Sequence, residues 1–328
     1  MRNLITDIAG VTVGHATDVA LASGVTVILF DHAVTGSGIT LGGAPGTRDT
    51  TLLDPGMTVC EVDAFVLSGG SAFGLDAAGG VQAALRAAGR GFPVGPVRVP
   101  IVPQAILMDL LNGGNKDWGR HSPYRDMGEA ACLAAGGHFP LGSVGAGTGA
   151  TTASVKGGLG SASAVSSKGY RIGAIAAVNA LGSPTIGRGA HFWAAPFEQR
   201  SEFGGLGLPP TFNEDHTAFR LKGMQETATT IGAVVTDAAL SKQQAYRLAI
   251  MAQDGIARAI LPAHLPLDGD TVFSAATGEK PLEAMADYLE LCHLATAVMA
   301  RAVARGVYEA TTLPHPGAQP AWRDRFGP

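Results

Sequence analysis

The sequence predicts one mixed α/β domain, on three observations. Apolar, β-branched runs of strand length alternate with longer amphipathic runs of helical period along the whole chain. The composition is 46% hydrophobic and only 15% charged, with 46 glycines in 328 residues, which fits a well-buried globular chain rather than a disordered one. No internal repeat and no linker-like shift in composition divides it, so strands and helices are expected to share one body.

In chain order, residues 5–13 and 25–30 read as strands, the second almost wholly apolar. Residues 41–49 form a turn-rich loop, and 64–67 a short buried strand. That strand runs into Ser68-Gly69-Gly70-Ser71 and a helix over about 71–88. Strand, glycines and helix suggest a phosphate cradle, but no Gly-Lys-Ser/Thr or GxGxxG stands in register, and tight turn packing explains the glycines better. Residues 104–111 and 127–136 read as short helices, separated by a polar loop, 112–124. The glycine loop 145–150 imitates a dinucleotide fingerprint without the acidic residue about twenty positions on, and is set aside. Residues 171–179 read as an apolar strand. A polar, Gly- and Pro-rich segment, 187–226, then gives way to a β-branched strand beginning near Thr229. Ser241 is a helix N-cap for 241–260, 271–276 a strand, 283–307 a long apolar helix, and the tail from 312 irregular.

Net charge is −4 with no basic run, which argues against a nucleic-acid partner. No apolar run reaches membrane-spanning length and the opening residues do not form a signal peptide, so the cytoplasm is the expected setting. Cys60, Cys132 and Cys292 are isolated, without metal-like spacing, and are expected to be small buried hydrophobes.

The chemistry is sought at the abrupt change of character at Ala228-Thr229. A hydroxyl at the head of a core strand, after a long loop, suits a nucleophile released by cutting the chain before it. Thr229 would then carry both a hydroxyl and an α-amine, whose ordinary pKa near 8 lets it act as a base; Thr229 and Thr230 are equally well ordinary strand formers. Asp268 and Asp270, two apart around a glycine, would point to the same side of an extended segment and present two carboxylates to one site. A solvated Asp-Gly turn is the plainer reading, and a metal site with His264 lacks the other ligands. Lys156 is a lone ammonium in an uncharged glycine-rich stretch, costly to bury unless paired. Asn179, at a strand end, is either an oxyanion donor or a polar cap. Tyr124 is a second candidate donor, though a loop tyrosine more often simply packs.

Taken in order, Gly42-Gly43-Ala44-Pro45-Gly46-Thr47-Arg48, Leu67-Ser68-Gly69-Gly70-Ser71-Ala72-Phe73-Gly74, Val99-Pro100-Ile101-Val102-Pro103, Gly145-Ala146-Gly147-Thr148-Gly149-Ala150, Lys156 to Ser163, Val178-Asn179-Ala180, Thr229-Thr230-Ile231-Gly232 and Asp268-Gly269-Asp270-Thr271-Val272-Phe273 resemble the family of L-aminopeptidase/D-esterases, β-aminopeptidases and nylon-oligomer hydrolases. The resemblance runs from about residue 5 to 307. It implies a four-layer αββα sandwich like that of N-terminal-nucleophile hydrolases, and a precursor that cuts itself into an α chain, 1–228, and a β chain, 229–328. The two chains would stay associated and assemble into tetramers or larger.

By the same resemblance Thr229 is the nucleophile and Asp268 and Asp270 the acidic pair that orients it. Lys156 and Asn179 line the active site, Asn179 as an oxyanion contact, and Tyr124 corresponds more loosely to a tyrosine that binds substrate. The implied activity is an aminopeptidase or oligoamide hydrolase that acts through an acyl-enzyme and needs no metal or organic cofactor. Ala228 departs from the asparagine that nylon-type members carry before the nucleophile. Two other readings stay open: an acyltransferase of the ornithine acetyltransferase type, and a relative that keeps the fold without maturing.

Overall fold

The computed structural model describes residues 1–223 and 228–327. The predicted loop's last residues, 224–226, and Thr227 lie outside the described residues. Strands β1 (Val11–Asp18) and β2 (Ser23–Thr40) form a hairpin, followed by β3 (Thr47–Arg48), β4 (Glu61–Ser68) and helix α1 (Ala77–Ala87). The small ribbon β5 (Phe92–Val94) and β6 (Val97–Val99) precedes β7 (Gln104–Ile106), α2 (Tyr124–Leu133), β8 (Gly158–Val165) and β9 (Arg171–Asn179). The short helix α3 (Glu214–Thr217) leads to β10 (Thr229–Ala238), α4 (Lys242–Ala259), β11 (Thr271–Lys280), α5 (Met285–Tyr308) and α6 (Trp322–Phe326).

The main sheet runs β3-β7-β4-β2-β11-β10-β9-β8, with β1 on β2. The long β2 serves two layers. Its first half pairs with β4 and its second half with β11, with a register break between Leu29 and Val34. Three separate cores give the layer order. Val81, Leu85 and Tyr124 pack α1 and α2 on β2 and β4. Between the two halves of the folded sheet lie Ile28, Phe65, Ile231 and Phe273, with the rings of Phe65 and Phe273 stacked at 4.8 Å. On the far side Leu248, Ile256, Met299 and Val303 of α4 and α5 cover β8 to β11. This is the four-layer αββα sandwich that the resemblance implies.

Several elements follow from local sequence. Ser241 caps α4, accepting from the Gln244 amide at 3.2 Å while Gln244 reaches back to the Ser241 N–H at 2.8 Å. Strand β9 falls on the expected residues. Others differ. Residues 5–7 form a 3₁₀ turn, not a strand, because the Asp7 carboxylate gathers the Arg2, Asn3 and Leu4 amides while Ile5 and Ile8 enter the inter-sheet core. Residues 104–106 are strand β7 rather than the start of a helix, held between β3 and β4. Tyr124 opens helix α2 instead of closing a loop.

Strand β8 was not expected, since Gly-Leu-Gly-Ser-Ala-Ser has no β-branched run. Its glycines exist for α5: a Cβ on Gly160 would stand 1.9 Å from the Ala302 carbonyl oxygen. Cys60 is exposed, contrary to expectation, whereas Cys132 and Cys292 are buried. Among the described residues no helix is long and apolar enough to cross a membrane.

Candidate active site

Thr229 is the first residue of β10, 3% exposed, between antiparallel β9 and parallel β11. Its hydroxyl folds back on the preceding peptide, 2.5 Å from the Ala228 carbonyl oxygen. That oxygen also accepts the Gly269 N–H at 3.0 Å. Gly269 is a glycine because nothing larger fits: a Cβ there would lie 2.8 Å from both Thr229 Oγ1 and the Ala44 carbonyl oxygen.

Asp268 and Asp270 flank Gly269, and both are buried. Asp270 takes the Thr230 N–H at 2.6 Å and His264 Nδ1 at 2.8 Å. Asp268 accepts the Leu181 and Leu265 amides at 3.3 and 3.0 Å. Burial, then the charge of Asp270, push the Asp268 carboxyl up from 3.8 to about 6. Burial pulls the His264 imidazole down, but the hydrogen bond and charge of Asp270 outweigh it and leave it above its ordinary value.

Asn179 stands opposite Thr229 in the β9–β10 register, where paired Cα atoms are about 4.5–5.5 Å apart. Its Oδ1 receives three donors at 3.0 Å: Asn112 Nδ2, the Thr151 N–H and Lys222 Nζ. Its Nδ2 donates to the Met108 carbonyl at 2.8 Å. Three donors on one oxygen fix the amide's orientation and leave one Nδ2 proton for another acceptor.

Lys156 is 1% exposed and caps the Gly147 and Gly157 carbonyls at 3.1 and 2.9 Å. Burial drives its ammonium down from 10.5 to about 7; Asp109 opposes that and Lys222 adds to it. The folded chain therefore holds fewer protons than the unfolded one between those values. The stability that Lys156 contributes is full above about 10.5 and is lost as pH falls through about 7. Melting temperatures are expected to show the parent gaining on Lys156→Met as pH rises from about 7 to about 9.

Tyr124 is fully buried and donates to Ser23 Oγ at 2.8 Å, which donates to Asp109 Oδ2 at 2.7 Å. Burial and the Asp109 charge push its phenol well up. Its ring closes on Gly70, where a Cβ would meet Tyr124 Cζ at 2.2 Å.

A polar cleft of about 540 Å³ opens at this end of the sheet, lined by Asn112, Thr151 and Lys222, the three residues that hold the Asn179 oxygen. Residues 111–113 and 221–223 form part of its wall, and His315 to Pro320 of the tail form its other side. The Lys156 N–H anchors that tail through the Pro320 carbonyl at 2.9 Å, and Gln319 does so through the Thr152 backbone.

Sequence reasoning missed Asp109, Asn112, Lys222 and Gly269. A signal existed for Asp109: like Lys156, it is a lone charge in an apolar run, and it is fully buried. Asn112 and Lys222 carry no such mark.

An αββα sandwich with a buried hydroxyl at the head of a central strand places this protein in the N-terminal-nucleophile-hydrolase class of fold. Its sequence matches the profile of peptidase family S58 over residues 3–319. It is similar to an uncharacterized aminopeptidase of Mycobacterium tuberculosis, 42% identical over 99% of this chain and 98% of that protein. The 6-aminohexanoate-oligomer endohydrolase of a Kocuria species is 27% identical over 83% of this chain and 74% of that protein. Among solved structures, the L-aminopeptidase D-Ala-esterase/amidase of Ochrobactrum anthropi, described as a variant of the Ntn hydrolase fold, matches with a TM-score of 0.69 at 20% identity. That match covers 99% of this chain and 90% of the other. The chain belongs to peptidase family S58 and is, by class, a hydrolase of amide or peptide bonds.

Proposed function

We propose that this protein is a self-processing aminopeptidase or oligoamide hydrolase in which Thr229, freed by cleavage of the Ala228-Thr229 bond, is the nucleophile. The observation that carries this reading is the Thr229 hydroxyl lying 2.5 Å from the Ala228 oxygen while that oxygen accepts the Gly269 N–H. In processing, Thr229 Oγ1 loses its proton and attacks the Ala228 carbonyl carbon. The oxyanion forms on the oxygen that Gly269 already polarises. The carbon–nitrogen bond breaks, nitrogen takes a proton, and an ester joins Ala228 to Thr229 Oγ1. Water then hydrolyses the ester to an Ala228 carboxylate and the Thr229 hydroxyl, beside the amine freed when the carbon–nitrogen bond broke.

In turnover that amine takes the hydroxyl proton, directly or through water, and the oxygen attacks the substrate amide. Asn179, opposite Thr229 on the neighbouring strand, would stabilise the oxyanion with its second Nδ2 proton, the first going to Met108. The amine product leaves and water releases the acyl group. The Asp268 and Asp270 carboxylates hold the strand end and supply negative charge beside the new ammonium. The pieces would remain together because β10 is hydrogen-bonded to β9, and β11 to β2, both partners coming from before the cut.

Intact mass under denaturing conditions tests the reading. Two pieces, 1–228 and 229–328, support it, and a single uncut mass after long incubation overturns it. Turnover has its own signature in pH. With Asp268 ionising at about 6, kcat/KM is expected to climb between about pH 5 and 7, and Asp268→Asn is expected to erase that limb. The stability effect has the opposite sense. The folded chain holds the Asp268 proton more tightly, so this contribution is present below 3.8 and lost as pH rises through about 6.

A further inference from the structure

A second, smaller cleft of about 150 Å³ adjoins the polar one, and the two share Ala153 as a wall. Arg188, Arg220 and Arg325 reach it from three separate segments, with Ser154 and Ser183. Among the described residues one acid meets these three cations: Asp215, paired with Arg220 Nη2. Among the described residues the buried Arg220 Nε meets no acceptor. Arg325 Nη1 donates to the Ser154 carbonyl at 2.5 Å. Ser154 Oγ lies 3.0 and 3.1 Å from the Ser183 and Thr185 hydroxyls, so the Ser154 side chain lies at the wall of the hollow. Positive charge is concentrated here on a chain whose net charge is −4. Guanidinium groups and a hydroxyl gathered around a small hollow match a planar anion that can take paired N–H bonds.

We propose that this cleft is a carboxylate subsite that takes the free C-terminal carboxylate of a short peptide, on the leaving-group side of the bond cut at Thr229. The proposal rests on the reading of Thr229 as nucleophile. Ser183 stands four residues after Asn179, so the cleft begins at most about 14 Å from the oxyanion contact. A peptide bridging the two has no more than about four extended residues beyond the scissile bond. The site would thus favour short peptides with free carboxyl ends over amides, esters and long chains.

The test is calorimetric binding, to the protein as purified, of a series of peptide isosteres of about two to five residues with a reduced, uncleavable first peptide bond, each as free acid and as C-terminal amide, read at the length with the largest difference. The acid is expected to bind at least about tenfold more tightly. The preference should shrink in salt and vanish in an Arg188→Gln/Arg325→Gln double variant. Equal affinities, no binding of the acid, or a preference that survives the double variant would overturn the proposal. Inorganic phosphate binding more tightly than the acid would also overturn it, in favour of a free anion. The two readings fail separately. A chain that stays uncut yet prefers the acid removes the Thr229 assignment, and a cut chain that binds both forms alike removes the subsite.

Discussion

Thr229→Ala is expected to leave the chain in one piece and without amide hydrolysis, the largest effect that any single substitution here should have. Alanine removes the hydroxyl that lies against the Ala228 carbonyl oxygen and leaves β10 its ladder to β9 and β11. The chain should therefore still fold, with a melting temperature close to the parent's, while denaturing mass spectrometry shows a single species. Thr229→Ser keeps the hydroxyl and should restore cleavage to a measurable degree. An alanine variant that is cut at the parental rate, or that hydrolyses amides as the parent does, would remove Thr229 from the mechanism.

Gly269→Ala should have the next largest effect. Its Cβ would stand 2.8 Å from Thr229 Oγ1 and from the Ala44 carbonyl oxygen, and 3.2 Å from Pro45 Cα. Two of those neighbours are backbone, so the 268–270 segment has to move, and with it the N–H that polarises the Ala228 carbonyl. Losing one oxyanion donor typically costs about a hundredfold to a thousandfold in rate. Self-cleavage, followed as the fraction of intact chain over time, should slow by at least about a hundredfold. Cleavage at an unchanged rate would show that the Gly269 N–H plays no part in it.

Both predictions turn on contacts that are only partly visible in the sequence. The heads of the two strands that meet at the site were legible: β9 ends at Asn179 and β10 begins at Thr229 because apolar, β-branched runs stop there against polar loops. The Asp-Gly-Asp segment was legible as a pair of carboxylates. Its geometry was not, since Asp270 turns to Thr230 and His264 whereas Asp268 is held by two backbone amides. Tyr124 shows the limit plainly. In the sequence it read as a loop residue, either a candidate donor or a packing tyrosine, and it opens a helix with its hydroxyl donating to Ser23.

The sequence by itself determined the alternation of strands and helices, the cap of α4, the apolar core strands and the discontinuity at Ala228-Thr229. These depend on neighbours a few residues apart, where side-chain period and backbone preference act directly. Tertiary structure alone decided that β2 bends to serve two layers and that the glycines of β8 make room for α5. It also decided that Asn112, Thr151 and Lys222 converge on one amide oxygen, and that the tail walls the cleft. Each of these joins segments from tens to more than two hundred residues apart. Such contacts are selected by how faces pack and which buried polar groups find partners, and no local pattern records that choice.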